Sequence, residues 1–317
     1  MRVLAIDLGG TKAAFAVIEG DGRVLSRSRQ PSHSEGAAAA FEVLADAAGE
    51  VVRAAGLRWA DVQGVGLIVP GIYDPATGNA WAPNLWGDRH VALRDGLAPR
   101  LPAPLTIDSD RSGYVLGEAW LGAARGCRDA VFLGVGTGIG AGILCEGRVV
   151  RGAAGIAGAV GWFATDAAWT PQGTLGCWES RAAGPALPRR AAALLREGDS
   201  SSLRAACGGR LDALTAEMVA DAARKGDAVA AQAVADVAEA LAMGVANLIS
   251  ALNPQVVVLG GGLMQASDLF LEPIRRAVPR WAQPISARQC RIEPSALGED
   301  AGLFGAARLA LPDQPPS

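Results

Sequence analysis

Two glycine-rich segments, each directly after an apolar β-branched run, constrain the fold of this chain more than any other feature. They are DLGGTK (residues 7–12) and GVGTGIGAG (residues 134–142). Glycine lets a backbone approach a ligand closely and reach positive φ, and the exposed N–H groups can then point at phosphate. A tight hairpin turn would explain either segment alone, whereas both together favour two half-sites that face one ligand. Neither segment has the Walker pattern or the dinucleotide fingerprint.

The apolar periodicity around these segments predicts alternating strands and helices, and the second half imitates the first. A β-meander opens the chain, and a similar pattern restarts near residue 130. Such alternation is typical of an α/β protein, here with two related lobes and a ligand cleft between them. We expect residues 312–317 to fray. The predicted strands cover residues 2–7, 13–18, 23–28, 62–69, 130–135, 143–144 and 256–259, and the predicted helices cover 36–55, 230–252 and 302–311.

Composition favours a small-molecule partner. The 317 residues are 50% hydrophobic, enough for two domains with a sizeable core. A net charge of -3 offers no broad basic field for nucleic acid or an anionic membrane. The chain shows no signal-peptide pattern and no uninterrupted apolar run of about 18 residues, so we expect a cytoplasmic protein. Five scattered cysteines without a CxxC pair indicate reduced thiols.

Polar residues in and beside the glycine segments suggest nucleotide chemistry. Asp7, at the end of the first strand, places a carboxylate where Mg²⁺ or a metal-bound water could sit. Thr11 and Thr137 add hydroxyl donors, and Lys12 could contact phosphate or form a structural salt bridge. The two half-sites therefore predict phosphate binding.

Several strings, in this order, resemble motifs of the ROK family of sugar kinases and repressors. DLGGTK resembles the first phosphate motif, residues 69–87 the sugar-side loop, GVGTGIGAG the second phosphate motif, and LGGGL (residues 259–263) the adenosine motif. The resemblance implies an actin/hexokinase-type α/β fold with two ribonuclease-H-like lobes, residues 1–117 with 301–317 and residues 118–300, around an interdomain cleft. It also implies an ATP- and Mg²⁺-dependent kinase for a hexose primary hydroxyl, although some relatives use polyphosphate.

The resemblance also points to a catalytic aspartate. The family has an Asn-Asp-Ala-Asn context followed by Leu-Gly-Glu, and here the string is SDRSGYVLGE (residues 109–118). This register places Asp110 on the family's general base, with Ser109 and Ser112 in place of the asparagines. A carboxylate there can accept the proton of the attacking sugar hydroxyl. The alternative is that Asp108 or Asp110 caps a helix that begins near Ser112.

The chain departs from the family on the sugar side. The family's Gly-Glu-Ile-Gly-His string reads GAVGW (residues 158–162), so Ala159 and Trp162 replace a sugar-binding glutamate and a histidine. A tryptophan at 162 could stack on a sugar face or fill the core. An amino sugar such as kanosamine or glucosamine is therefore an alternative acceptor, and a degenerate sugar sensor is a further alternative.

The family's zinc loop is also altered, since it reads TPQGTLGC (residues 170–177). Thr170 and Gln172 replace two cysteines, and Cys177 remains. One thiol cannot hold structural zinc, so we predict no zinc site. Trp169 and Trp178 could supply apolar packing there instead.

The resemblance assigns the remaining site residues and partners. We expect no nucleic-acid or membrane partner, and a homodimer is compatible with the family. A repressor is disfavoured because the first phosphate strand begins at residue 2, which leaves no room for a helix-turn-helix domain. Asp88 and His90 are additional candidates in the sugar-side loop. The predicted substrate ligands are Asn84, Ser109, Asp110, Glu179, Trp162 and Gly71; the predicted nucleotide and phosphate ligands are Asp7, Gly9, Gly10, Thr11, Lys12, Gly136, Thr137, Gly138, Gly140, Gly260, Gly261 and Gly262, with Asp7 holding Mg²⁺ directly or through water.

Overall fold

The computed structural model describes residues 1–32, 36–171, 173–196 and 201–312. Gln172 and residues 313–317 of the predicted frayed tail lie outside these ranges. The chain forms two compact units. Unit 1 contains Met1–Arg128, Gly142–Ala157 and the chain from Ala296 onward, and unit 2 contains Asp129–Ala141 and Gly158–Ser295. The lobe boundaries given above, at 117/118 and 300/301, stay a prediction.

Strands and helices alternate along the chain, as the periodicity predicts. The strands are β1 (Arg2–Leu8), β2 (Lys12–Glu19), β3 (Val24–Pro31), β4 (Gly64–Val69), β5 (Ile72–Asp74), β6 (Asn79–Trp81), β7 (His90–Val91), β8 (Leu105–Ser109), β9 (Ala130–Val135), β10 (Ile139–Cys145), β11 (Arg148–Val149), β12 (Val256–Gly260) and β13 (Arg291–Pro294). The α-helices are α1 (Ala37–Ala54), α2 (Pro83–Trp86), α3 (Leu93–Leu97), α4 (Asp110–Leu121), α5 (Glu179–Ala182), α6 (Ala186–Arg196), α7 (Leu203–Ala206), α8 (Ala216–Arg224), α9 (Ala228–Leu252), α10 (Ser267–Trp281), α11 (Pro284–Gln289) and α12 (Ala301–Ala310).

The two five-stranded sheets repeat one strand order. The first has the order β3-β2-β1-β4-β8, and the second has β11-β10-β9-β12-β13. In the first, β1, β2 and β3 form an antiparallel meander, and β1, β4 and β8 run parallel. In the second, β10 and β11 are antiparallel, and β12 is parallel to both β9 and β13. The predicted internal duplication and α/β class are confirmed.

Strand β1 is buried on both faces, which explains its continuous apolar sequence. Leu4 and Ile6 point into a large core with α1, and Val3 and Ala5 point into a second core with α12. The second core contains many small residues, because the helices approach the sheet closely there. The central sheet of unit 1 is therefore covered on both sides.

Helices α4 and α12 pack backbone to backbone through glycine. A Cβ added at Gly305 would overlap the carbonyl oxygen of Gly113, and a Cβ added at Gly117 would overlap that of Ala301. Glu118, near the C-terminal end of α4, also joins this helix to the segment before α12. Its fully buried carboxylate accepts hydrogen bonds from the backbone N–H groups of Ala123 and Leu297. These two helices thus have a fixed separation.

Two boundaries differ from the prediction. The second glycine segment is mostly strand, because Gly134 belongs to β9 and Gly140 to β10, and the turn itself is short, with the N–H of Gly136 donating to the carbonyl of Gly138 (3.0 Å). Helix α4 begins at Asp110 and not near Ser112, because Ser109 caps it. Repeated glycine in a sequence predicts a loop, although glycine inside a sheet can also mark a place where another backbone packs closely.

Helix α9 is long and apolar enough, by length and composition, to cross a membrane. However, 61% of its most apolar window is buried inside the protein, as expected for the central helix of a core. Trp178 packs on it, with its indole N–H donating to the carbonyl of Ala240 (2.7 Å).

Replacement of Gly305 by alanine should destabilise unit 1 despite the better helix propensity of alanine. The added methyl group has no room against the Gly113 backbone, so we expect a loss of about 1–3 kcal/mol in the free energy of unfolding. Gly49→Ala in α1 is the matched control, because the nearest heavy atom to its added Cβ is the mobile end of Arg53 at 3.3 Å. That variant should be neutral or more stable by up to about 1 kcal/mol. Urea denaturation that shows equal effects of the two substitutions would contradict the glycine contact.

Candidate active site

Asp7 and Asp110 lie at the same edge of the first sheet. In the parallel part of this sheet, β4 separates β1 from β8, with Asp7 opposite Ile68 and Val69 opposite Ser109. Asp7 therefore stands near the carboxyl end of β1, and Asp110 follows the carboxyl end of β8. This is the edge at which open α/β sheets bind ligands.

Both carboxyl groups resist ionisation. Burial raises the pKa of Asp110 to about 6, partly opposed by the positive charge of Arg111 and by the Arg111 N–H, which donates to Oδ1 at 2.8 Å. Burial raises the pKa of Asp7 to about 7, and the charge of Asp110 adds to the effect while that of Arg29 opposes it. Burial and the two carboxylates also raise the pKa of Tyr114. Unit 1 thus holds two poorly solvated carboxyl groups whose charges interact, and such perturbed pKa values are common at functional sites.

The start of α12 lies against Asp7. A Cβ added at Gly302, the second residue of this helix, would overlap Oδ2 of Asp7. The N-terminal end of a helix carries partial positive charge, which favours a nearby carboxylate. Glycine at 302 therefore makes room for Asp7 beside a stabilising dipole.

The residues around Asp110 have separate roles. Ser109 is the N-cap of α4, and its hydroxyl accepts from the Ser112 N–H (3.4 Å), so the capping role considered for Asp108 or Asp110 belongs to Ser109. Asp108 is buried and pairs with Arg151, at 2.9 Å from Nε and 2.6 Å from Nη2. Ser109 is also buried, whereas Asp110 is partly exposed. Asp110 is thus the one of the two aspartates whose carboxylate forms no ion pair in the described residues.

The first glycine turn lies beside the sugar-side loop. The Gly9 N–H donates to the carbonyl of Lys12 (2.9 Å), and a Cβ at Gly10 would lie 3.3 Å from that of Asn84. Thr11, Lys12 and Asn84 are exposed. Gly9 and Gly10 do not adopt positive φ, so their small size serves close approach and not an unusual conformation. Gly71 does require positive φ (99°).

The predicted sugar ligand Glu179 is anchored to the second glycine turn. Its Oε2 accepts from the Ile139 N–H (3.1 Å), and its Oε1 accepts from the Gly176 N–H (2.8 Å). A Cβ at Gly138 would lie 2.8 Å from Oε2, and one at Gly161 2.5 Å from it. The carboxylate therefore sits in a glycine-lined cradle, and each oxygen keeps a further lone pair.

A cavity of about 880 Å³ in unit 2 joins the second and third glycine turns. Gly136 and Thr137 line one side, and Gly262 lines another. The volume suits a nucleotide-sized ligand. Gly261 needs its positive φ (89°) because a side chain would meet the Val135 backbone. The remaining lining residues are Gly184, Pro185, Leu187, Pro188, Ala216, Glu217, Ala220, Asp221, Arg224, Leu263, Gln265 and Ala266.

Sequence reasoning missed Arg224 and Gln265 in this cavity and Gly302 beside Asp7. Arg224 is held by Asp268 through two hydrogen bonds of 2.8 Å. A single polar residue in a sequence does not indicate whether its side chain will line a cavity or face solvent. Gly302 and Gly305 do carry a signal, because glycine inside a helical pattern is unfavourable and suggests a packing or functional reason.

The tryptophans of the altered sugar-side region divide into two kinds. Trp178 is fully buried and stacks on Phe163 with 5.8 Å between ring centroids, which confirms a core role. Trp162 is 54% exposed, so the core interpretation is wrong for it. Asp88 and His90 are exposed in the other unit.

The remnant of the zinc loop is Cys177, a buried thiol whose neighbours are Thr165 Oγ1 (3.8 Å) and the Asp166 carbonyl (3.9 Å). Within the described ranges, histidine, cysteine and carboxylate side chains form no group of three or more that could hold a metal. The absence of zinc stays a prediction.

Comparisons with known proteins agree with this architecture. The ROK family pattern matches residues 3–312. The glucokinase of Thermotoga maritima is 32% identical, with 98% of this chain and 97% of that protein covered. The ROK hexokinase structure from Thermus thermophilus is 32% identical with a TM-score of 0.80, covering 98% of both chains.

A ROK family glucokinase from Streptomyces griseus, solved with glucose and AMPPNP, is 30% identical with a TM-score of 0.78 and covers 98% of this chain and 99% of that chain. These similarities confirm the actin/hexokinase-type fold. Because they extend over nearly the whole sequence, the chain belongs to the ROK family.

Proposed function

We propose that this protein is an ATP-dependent hexose kinase that phosphorylates a primary hydroxyl with Asp110 as general base. The observation that carries the proposal is the pair of Asp7 and Asp110, both with raised pKa, at the carboxyl edge of the first sheet. The similarity to glucokinases supports the same reaction.

Asp110 accepts the proton of the sugar hydroxyl as the hydroxyl oxygen attacks the γ-phosphorus. The bond to the β–γ bridging oxygen breaks, and ADP leaves with that electron pair. A base with a pKa of about 6 is largely ionised at neutral pH yet basic enough to take the proton. Asn84, Ser109, Gly71 and Glu179 are the proposed sugar ligands.

The cavity between the second and third glycine turns is the proposed ATP site. Gly136, Thr137 and Gly262 line it, as the predicted phosphate and adenosine motifs require. The first glycine turn, with Thr11 and Lys12 exposed, is the proposed contact for the transferred phosphate.

Asp7 fits a magnesium ion. Mg²⁺ in kinases is held by one or two carboxylates together with substrate phosphates and waters. Burial, and then the charge of Asp110, raise the pKa of Asp7, and a divalent cation beside it would favour the ionised carboxylate. When bound, Mg²⁺ would neutralise charge on the phosphate oxygens.

Asp110→Asn should lower kcat by about 10²- to 10⁴-fold, because the amide cannot accept the proton. Asp95→Asn is the matched control, since Asp95 lies on the exposed face of α3 in the same unit. A coupled ADP-release assay with glucose and glucosamine measures both. Unchanged turnover in Asp110→Asn would exclude its role as base. ATP binding by the native protein without transfer to any hexose would favour a sugar sensor.

The activity should fall in acid, because both carboxylates work in the ionised form. We expect kcat/KM to decline as the pH falls below about 7 and more steeply below about 6, where Asp7 and then Asp110 become protonated. A pH–rate profile of the native enzyme checks this. A profile that stays flat down to pH 5 would contradict the assigned ionisation states.

Gly262→Leu should weaken ATP binding by about tenfold or more, because its side chain would occupy the cavity. No heavy atom lies within 4 Å of a Cβ added at this position, so the fold should tolerate it. Gly262→Ala is the graded control and should have a small effect. Calorimetry with AMPPNP measures the affinities, and equal affinity for the leucine variant and the native protein would place ATP elsewhere.

A further inference from the structure

Arg111, the residue directly after the proposed base, holds its guanidinium between two backbone carbonyls of unit 1. Nη2 donates to the carbonyl of Gly71 (3.1 Å), and Nη1 donates to that of Ile156 (3.4 Å). Gly71 belongs to the sugar-side loop. The guanidinium is therefore tied to the loop that contains two of the predicted sugar ligands, Gly71 and Asn84.

The charge of Arg111 lacks a carboxylate partner within 4 Å in the described residues. Both of its acceptors are neutral carbonyls. Arg151, in contrast, forms an ion pair with the buried Asp108. A guanidinium has five N–H groups, and two are used here, so the side chain retains donors for a further ligand.

The position of Arg111 is well defined. It is the second residue of α4, and a Cβ at Gly142 would overlap its carbonyl oxygen, so β10 packs directly on this turn of the helix. The side chain is partly exposed. A ligand would thus meet a preorganised cation beside Asp110 and not a freely moving surface arginine.

We propose that Arg111 binds a carboxylate of the acceptor, so that the preferred substrate is a sugar acid or acidic sugar derivative that also carries a primary hydroxyl. This inference rests on the proposed kinase function and specifies its substrate class.

A carboxylate fits the local charge better than a phosphate or an ammonium group. One guanidinium matches one monoanion in a fork-like pair of hydrogen bonds. A dianionic phosphate would leave excess negative charge beside Asp7 and Asp110. An ammonium group would face the like charge of Arg111, which disfavours glucosamine and kanosamine as acceptors.

The test compares pairs of acceptors that differ mainly in the carboxylate: N-acetylmuramic acid with N-acetylglucosamine, and gluconate with glucitol. Initial rates of ADP release give kcat/KM for each, with glucose as the reference sugar. We expect the native enzyme to prefer the acidic member of at least one pair. In Arg111→Gln this preference should fall by about 10- to 150-fold, the range for a hydrogen bond to a charged group.

Two variants separate recognition from other effects. Arg111→Lys retains the charge without the fork and should keep part of the preference. Arg94→Gln is the matched control, because Arg94 in unit 1 also donates to a backbone carbonyl, that of Pro75 (3.0 Å). It should leave the preference unchanged.

The outcomes are distinct. Preference for the neutral member of both pairs, with an acid-to-neutral ratio unaffected by Arg111→Gln, overturns the inference while transfer to glucose upholds the kinase. An equal loss for all acceptors with a displaced pH profile also overturns it, since Arg111 would then act only on Asp110. No transfer to any acceptor overturns the kinase proposal itself.

Discussion

The contact between α4 and α12 is the constraint on which the candidate site of unit 1 depends. Glycine at 117 and 305 lets the two backbones touch. The first helix begins with Asp110, and the second carries Gly302 against Asp7. A larger separation would move the two carboxyl groups apart and let water between them. The same contact that fills the second core therefore sets the spacing of the acidic pair.

Burial of these two carboxyl groups has an energetic cost. The pKa values of Asp7 and Asp110 are raised to about 7 and about 6, so the folded chain holds these protons more tightly than the unfolded chain does. Stability then falls as the pH rises from the ordinary carboxyl range through these values, because ionisation is easier after unfolding. At neutral pH, ionisation of these carboxyl groups therefore lowers the free energy of unfolding of the unliganded protein. A ligand that neutralises these carboxylates would relieve this cost, and perturbed pKa values of this kind cluster at functional sites.

The fold could be predicted from the sequence to a large extent, and the site only in part. Apolar runs gave β1, β9 and α9 nearly to the residue, because burial on both faces leaves a continuous signal. The glycine segment after β9 was misjudged, since glycine in a turn and glycine under a packed neighbour look alike in sequence. The place of Arg111 could not be predicted from the sequence, because the carbonyls of Gly71 and Ile156 come together around it only after folding.

The second core of unit 1 is completed by α12, the last described helix of the chain. Helix α12 covers the face of the first sheet that contains Val3 and Ile68, and its own contribution includes Leu303 and Ala306. Val3 and Leu303 are 300 positions apart in sequence, and Ile68 and Leu303 are 235 apart. During synthesis the chain grows from its N-terminus, so this face of β1 and β4 stays uncovered until α12 has left the ribosome. Until then, the exposed strands of the unit with the proposed base are open to chaperones and to aggregation.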